Sequence, residues 1–165
     1  MSRPDPDAAD PVERTRRRWA VALGLGGLIP FFALAAGAVA LPDDWARAAV
    51  GAQIHYAASI LSFLGAVHWG VALAAPGLSA ARVRTALAWG VVPSLYAWAV
   101  LVVPDLLPEV DAAHAELALL AAGLAVAWLA DRALYRAYPV GAWFSRLRTV
   151  LTMGAVLAVL VTLLA

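Results

Sequence analysis

The segment that decides the fold is 48–75, AAVGAQIHYAASILSFLGAVHWGVALAA, which contains no aspartate, glutamate, lysine or arginine. An α-helix needs ~20 consecutive apolar residues to cross the ~30 Å hydrocarbon core of a bilayer, so this segment is long enough to span it. Four further apolar runs reach or approach that length, at 19–41, 86–103, 112–130 and 147–165. The sequence therefore predicts an all-α integral membrane bundle of five transmembrane helices.

The basic residues are distributed unequally between the two ends of these spans. All twelve are arginines. The N-terminal tail and the second and fourth connections hold eleven of them: Arg3, Arg14, Arg16, Arg17, Arg18, Arg82, Arg84, Arg132, Arg136, Arg146 and Arg148. The first connection has only Arg47, and the third has Asp105, Glu109 and Asp111 but no arginine. Because arginines beside short spans are retained on the cytoplasmic side, we expect a cytoplasmic N-terminus and an external C-terminus.

The composition agrees with a membrane protein and argues against several soluble classes. Hydrophobic residues make up 64% of the chain and charged residues 14%, against ~45–50% and ~25% in soluble domains. Cysteine is absent, which excludes disulfides, thiolate metal sites and cysteine nucleophiles. The chain has no phosphate-binding glycine loop, no nucleophile elbow and no HExxH motif, so no catalytic residue is predicted. Nucleic acid is not an expected partner, since no contiguous basic surface is evident.

The chain divides into a short tail and one membrane domain. Residues 1–12 are rich in proline and aspartate and have little to bury, which predicts a disordered tail. Residues 13–165 form the five-helix transmembrane domain. The first span follows a cluster of arginines and ends in Ala38-Val39-Ala40, as a cleavable secretory leader does. Its length favours a retained span, because the apolar part of a leader covers only ~7–15 residues.

The second span carries the most distinctive pattern. A small-residue stripe recurs every fourth position and would let a neighbouring backbone approach closely; it consists of Ala58, Ser62, Ala66 and Gly70. His55 and His68 are thirteen residues apart, hence ~20 Å apart along the helix and ~220° apart around it. They cannot share a metal ion, and with three histidines in the chain no metal site or cofactor is predicted. The alternative that the residues leave open is a haem held by His55 and His114.

Ionisable residues inside a membrane span are often functional, which makes His68 and its neighbour Trp69 the first candidates for ligand contact. Pro93 interrupts the third span and Pro30 the first, and two such breaks beside the second span would outline a small-molecule pocket. The candidate ligand contacts are His55, Ser59, Ser62, His68, Trp69, Pro93, Ser94 and Trp98. The alternative is structural: histidines that hydrogen-bond between helices, and proline kinks without a ligand.

The fourth connection mixes aromatic residues with arginines and is predicted to lie at the lipid headgroups. Its aromatic residues are Tyr135, Tyr138, Trp143 and Phe144. Its arginines, Arg132, Arg136, Arg146 and Arg148, are expected to reach lipid phosphates. The alternative is a docking surface for a partner protein.

Three stretches resemble a known family: 58–70, ASILSFLGAVHWG; 89–98, WGVVPSLYAW; and 143–152, WFSRLRTVLT. They are similar to the bacterial domain-of-unknown-function family related to the mitochondrial transmembrane protein 69, over about 19–164. The resemblance implies a small multi-pass protein of the bacterial inner (cytoplasmic) membrane and supplies no catalytic residue.

Three functions are compatible with this sequence, and the first of them is the one that it favours. An accessory or assembly subunit of a membrane complex fits the small size and the small-residue stripe, with a larger complex or a second copy as partner beside the bilayer. A binder of a tetrapyrrole- or lipid-like small molecule fits the five spans and seven tryptophans. A transporter is the third alternative, although the five unequal spans show no inverted repeat.

Overall fold

The computed structural model describes residues 10–102, 112–136 and 141–165. Within them lie six helices: α1 (Pro11–Gly26), α2 (Leu28–Ala40), α3 (Asp43–Ala74), α4 (Ala80–Val102), α5 (Ala112–Tyr135) and α6 (Ala142–Leu163). α1 and α2 together make one span, and α3, α4, α5 and α6 make four more that are long and apolar enough to cross a membrane. The predicted all-α bundle of five spans is thereby confirmed.

Several predicted features lie outside the described residues. They are residues 1–9 of the predicted tail, the acidic third connection with Asp105, Glu109 and Asp111, the predicted end of the third span at Val103, and Tyr138. Asp10, the first described residue, accepts a hydrogen bond from the backbone N–H of Val12 at 3.0 Å and caps α1. The first helix therefore begins inside the segment predicted to be a disordered tail.

The first span is divided at Gly27, between α1 and α2. Pro30 has no backbone N–H and cannot continue the helical hydrogen-bond pattern back to Gly26. The Tyr56 hydroxyl of α3 donates to the carbonyl oxygen of Gly27 at 2.9 Å, which satisfies the backbone beside the break. This hydrogen bond holds the break against α3, and α1 packs against α6.

α3 lies at the centre of the bundle and packs against α2, α4, α5 and α6. It approaches α4 closely at Gly65, where an added Cβ atom would lie 2.3 Å from the carbonyl oxygen of Gly90. The Trp69 indole N–H fixes the same interface by donating to the carbonyl of Leu87 at 3.0 Å. The backbones of α3 and α4 therefore touch at Gly65, which leaves no room for a side chain there. We call this the closed contact of α3 with α4.

Candidate functional site

A buried ionic cluster joins α3, α5 and α6 near the end of the bundle where α3 and α5 finish and α6 begins. The Asp131 carboxylate accepts hydrogen bonds from His68 Nε2 at 2.8 Å and from Arg148 Nε at 2.9 Å. His68 is 0% exposed, Asp131 1% and Arg148 6%. Because an ionised carboxylate only accepts hydrogen bonds, His68 carries a proton on Nε2. We call His68, Asp131 and Arg148 the ionic cluster.

Thr152 lies one turn beyond Arg148 on α6 and accepts a hydrogen bond from a second nitrogen of the guanidinium. Nη1 of Arg148 donates to Thr152 Oγ1, and the same hydroxyl donates to the carbonyl oxygen of Arg148 at 2.9 Å. Nη2 of Arg148 is buried and has no hydrogen-bond partner among the described residues. One face of a permanently charged group thus retains unused donors inside the bundle.

Aromatic rings cover the ionic cluster on one side. The ring of Tyr135 stacks on His68, with centroids 5.5 Å apart and planes 15° apart. Phe144 meets Tyr135 edge to face at 5.5 Å. Trp143 packs on Phe144 and donates to the Glu13 carboxylate at 2.8 Å, which fastens the start of α1 to the start of α6.

An apolar cavity of about 400 Å³ lies beside the ionic cluster, between the first span and α3, α5 and α6. Its polar side chains are those of Tyr135, Arg148 and Thr152, and the rest of its lining is hydrocarbon or glycine. Within the described residues α1 makes no backbone contact with α3. Leu23 of α1 and Phe63 of α3 both line the cavity, and they are 67% and 65% exposed. The cavity therefore opens sideways, between α1 and α3, toward the surface that faces lipid.

A neutral polar contact lies nearer the opposite end of α3. Thr162 of α6 donates to the side-chain oxygen of Gln53, and both residues are buried. A smaller cavity of about 220 Å³ reaches Thr162, with Arg47 and His114 also in its lining. Among the residues that the structure describes, no three histidine, aspartate or glutamate side chains form a group that could hold a metal ion.

The predicted ligand contacts are dispersed over the bundle. Of the eight, only His68 belongs to the ionic cluster, and none is in the lining of the 400 Å³ cavity. His55 Nδ1 lies 2.7 Å from the carbonyl oxygen of Gly51, and the hydroxyls of Ser59 and Ser62 donate to carbonyls of their own helix. Pro93 is buried, Ser94 is half-buried, and Trp69 and Trp98 are exposed.

The small-residue stripe is only partly covered within the chain. Ala58 is buried and Ser62 half-buried, whereas Ala66 and Gly70 are exposed. An added Cβ atom on Gly70 would have no neighbour within 4 Å. The close approach of α3 to α4 occurs instead on the adjacent row, at Gly65.

Arg148 requires a correction to the predicted headgroup arginines. Arg132, Arg136 and Arg146 are exposed, and Arg132 lies over the ring of Trp128 at 4.9 Å. Arg148 is buried and paired with Asp131 rather than exposed at the membrane surface. The physical reason is that α6 begins at Ala142, five residues before the predicted span, so Arg148 already lies in its second turn and faces the bundle.

Asp131, Thr152 and the roles of Tyr135 and Arg148 were not predicted from the sequence. The predicted fourth span ended at residue 130, just before the charged Asp131, but α5 continues to Tyr135. The available signal was the spacing 148/152, which puts an arginine and a threonine on one face of a helix. The arginine could then have been matched with the aspartate closest to it in sequence, Asp131.

Comparison with known proteins identifies relatives of the chain. A family described as "Protein of unknown function (DUF3429)" matches residues 16–164. Transmembrane protein 69 of Xenopus tropicalis is 38% identical over 146 residues, which cover 88% of this chain and 53% of that protein. The chain thus spans about half the length of this relative. No solved structure matches the chain.

Proposed function

The chain belongs to the DUF3429 family and has five helices that are long and apolar enough to cross a membrane, and on that premise we propose that it binds a lipid-like small molecule in the 400 Å³ cavity. The observation that carries this proposal is an apolar chamber whose wall contains one buried arginine. Ligand sites are usually concave, largely apolar and ~300–1,000 Å³ in volume, with a few polar groups that orient the ligand. The cavity falls within that range.

The route of entry supports a ligand that partitions into the bilayer. The opening between α1 and α3 is bordered by Leu23 and Phe63, and both side chains are exposed to the lipid-facing surface. A hydrophobic molecule dissolved in the membrane would reach the cavity without crossing an aqueous phase. A water-soluble molecule would have to leave solvent and pass apolar side chains, which is unfavourable.

Two alanines of α1 offer a matched test of this proposal. Ala20 lines the cavity and is half-buried, whereas Ala22 is exposed and lies outside the lining. The probe is a long-chain alkane bearing a diazirine, photolysed with the protein in nanodiscs and located by peptide mass spectrometry. We expect labelling of Leu64 and Leu151 in the native chain. This labelling should fall in Ala20→Phe, whose ring occupies part of the cavity, and persist in Ala22→Phe. Equal labelling in the two variants would refute a cavity ligand.

A second candidate function is that of an accessory or assembly subunit of a membrane complex. It is favoured by the exposed half of the small-residue stripe, Ala66 and Gly70. Exposed small residues four positions apart provide a face on which another transmembrane helix can pack. The test is purification in gentle detergent with mass spectrometry. A stoichiometric partner, or a second copy, that is lost in Gly70→Leu and retained in Ala122→Leu would support this function. Ala122 is an exposed residue of α5 and serves as control.

We also propose that the chain lies in the bacterial inner membrane with a cytoplasmic N-terminus and an external C-terminus. The support is the excess of arginine on the N-terminal side of the spans. The chain has no cysteine, so single cysteines report their side without a background. Asp43→Cys should react with a membrane-impermeant maleimide added from outside, and Ala80→Cys should react only after the membrane is opened. The reverse pattern would invert the topology.

A further inference from the structure

We propose that the ligand of the cavity is electrically neutral and carries a carbonyl-type acceptor oxygen, which binds the free Nη2 donors of Arg148. This inference rests on the proposed function, because it names the chemical class of the molecule in the same cavity. It would place the apolar body of the ligand against the hydrocarbon wall and its oxygen at the ionic cluster.

The hydrogen-bond inventory of Arg148 indicates an acceptor. Nε donates to Asp131 and Nη1 to Thr152, which leaves Nη2 without a partner among the described residues. Arg148 is 6% exposed, and a buried donor left unsatisfied costs free energy. Arg148 is also in the lining of the cavity, but Nη2 itself is almost fully covered, so binding an acceptor there requires the guanidinium to turn toward the cavity. A ligand that offers an acceptor there gains a hydrogen bond to a charged donor, which is stronger than a neutral one.

Thr152 offers a ligand that must donate at most one remaining lone pair. Its hydroxyl already donates to the carbonyl oxygen of Arg148 and accepts from Nη1 of the same residue. A ligand with an ammonium or amide group would bring donors to a charged guanidinium, which has no acceptor to offer. A carbonyl oxygen accepts without adding a donor that itself needs a partner.

Charge balance distinguishes a neutral acceptor from an anion. The guanidinium of Arg148 is permanently positive, and the carboxylate of Asp131 compensates it at 2.9 Å. The other arginines at this end of α5 and α6, Arg132, Arg136 and Arg146, are exposed and lie outside the cavity lining. A carboxylate or phosphate in the cavity would therefore add a buried negative charge without a counterion, which is costly in a low-dielectric interior. A ketone, ester or quinone oxygen avoids that cost.

The test uses 2-tridecanone labelled with ¹³C at its carbonyl carbon, added to the protein in nanodiscs of ether-linked lipid, whose linkages contain no carbonyl. A hydrogen bond from a guanidinium polarises the carbonyl and shifts its ¹³C resonance downfield. We expect a downfield-shifted bound resonance in the native protein and in Arg146→Met. It should be absent from the double variant Arg148→Met, Asp131→Leu, which removes the donor and preserves charge balance.

Displacement by molecules of equal chain length decides the question in the native protein, even if the double variant does not fold. Tridecane should displace the ketone only at about tenfold higher concentration, because one hydrogen bond to a charged donor supplies at least that preference. Tridecanoate should be no better than tridecane. Equal displacement by tridecane and unlabelled ketone, or tighter binding of tridecanoate, would overturn the inference. In either case the ketone is still bound, so the proposed function would stand.

Repeating the experiment in ester-linked lipid distinguishes two sources of the carbonyl oxygen, a phospholipid ester and a free carbonyl compound. Loss of the bound ketone resonance would show that a phospholipid ester supplies the oxygen. Its retention would indicate a free carbonyl compound. Absence of any bound resonance in ether-linked lipid, together with unchanged photolabelling in Ala20→Phe, would instead refute the proposed function itself.

Discussion

Two buried polar contacts link α3 to α6 at different depths in the bundle, and they differ in kind. The ionic cluster joins His68 and Arg148 through Asp131 and borders the larger cavity. The other contact is the neutral hydrogen bond between Gln53 and Thr162. A neutral contact is enough to fix two helices in a membrane, whereas buried charge is expensive there. Packing alone therefore explains the neutral contact, whereas the charged contact supports the function proposed above.

Among the substitutions that test this difference between the two contacts, we expect Asp131→Leu to lower stability the most. It leaves Arg148 as a buried cation without its counterion and removes the acceptor of His68. Removing one partner of a buried ion pair costs ~3–5 kcal/mol. We expect the free energy of unfolding in bicelles to fall by about that amount, as measured by steric trapping.

The double variant Arg148→Met, Asp131→Leu is the control for this prediction. Replacing a buried ion pair with apolar residues of similar volume is often neutral or stabilising, so the double variant should recover most of the loss. If Asp131→Leu alone unfolded as readily as the native chain, the ion pair would have no structural weight.

The apolar spans could be predicted from the sequence, whereas the ionic cluster could not. Apolar length identified all five spans, because a bilayer imposes one length on every helix that crosses it. The ionic cluster was not found, since a rule that ends spans at charged residues assigns Asp131 to a connection. In the folded bundle α5 continues to Tyr135 and α6 begins at Ala142, so Asp131 and Arg148 both lie within helices. Packing of these helices then buries the two side chains. The pocket was likewise predicted between the breaks at Pro30 and Pro93, because the sequence does not reveal which spans are neighbours.

A second prediction concerns the closed contact of α3 with α4. In Gly65→Val the added Cβ atom would meet the carbonyl oxygen of Gly90 at 2.3 Å, so the two backbones must separate. Overpacking of this kind costs ~1–3 kcal/mol. Gly70→Val is the matched control, because nothing lies within 4 Å of its Cβ position. The unfolding free energy should fall in the first variant and stay within ~0.5 kcal/mol in the second. A similar loss in both would show that the contact with Gly90 is not the cause, since valine is a better helix former than glycine.

The smallest expected effect belongs to the neutral contact. A double-mutant cycle of Gln53→Leu and Thr162→Val isolates the hydrogen bond between the two side chains. Interhelical hydrogen bonds measured in this way in membrane proteins average ~0.6 kcal/mol, with a maximum of ~1.7 kcal/mol. We expect the coupling energy from unfolding in bicelles to fall in that range, well below the loss in Asp131→Leu. A coupling energy as large as that loss would make the neutral contact equal to the ionic cluster. The buried charge would then no longer single out the cavity end of the bundle, and the argument for a ligand at Arg148 would rest on the cavity alone.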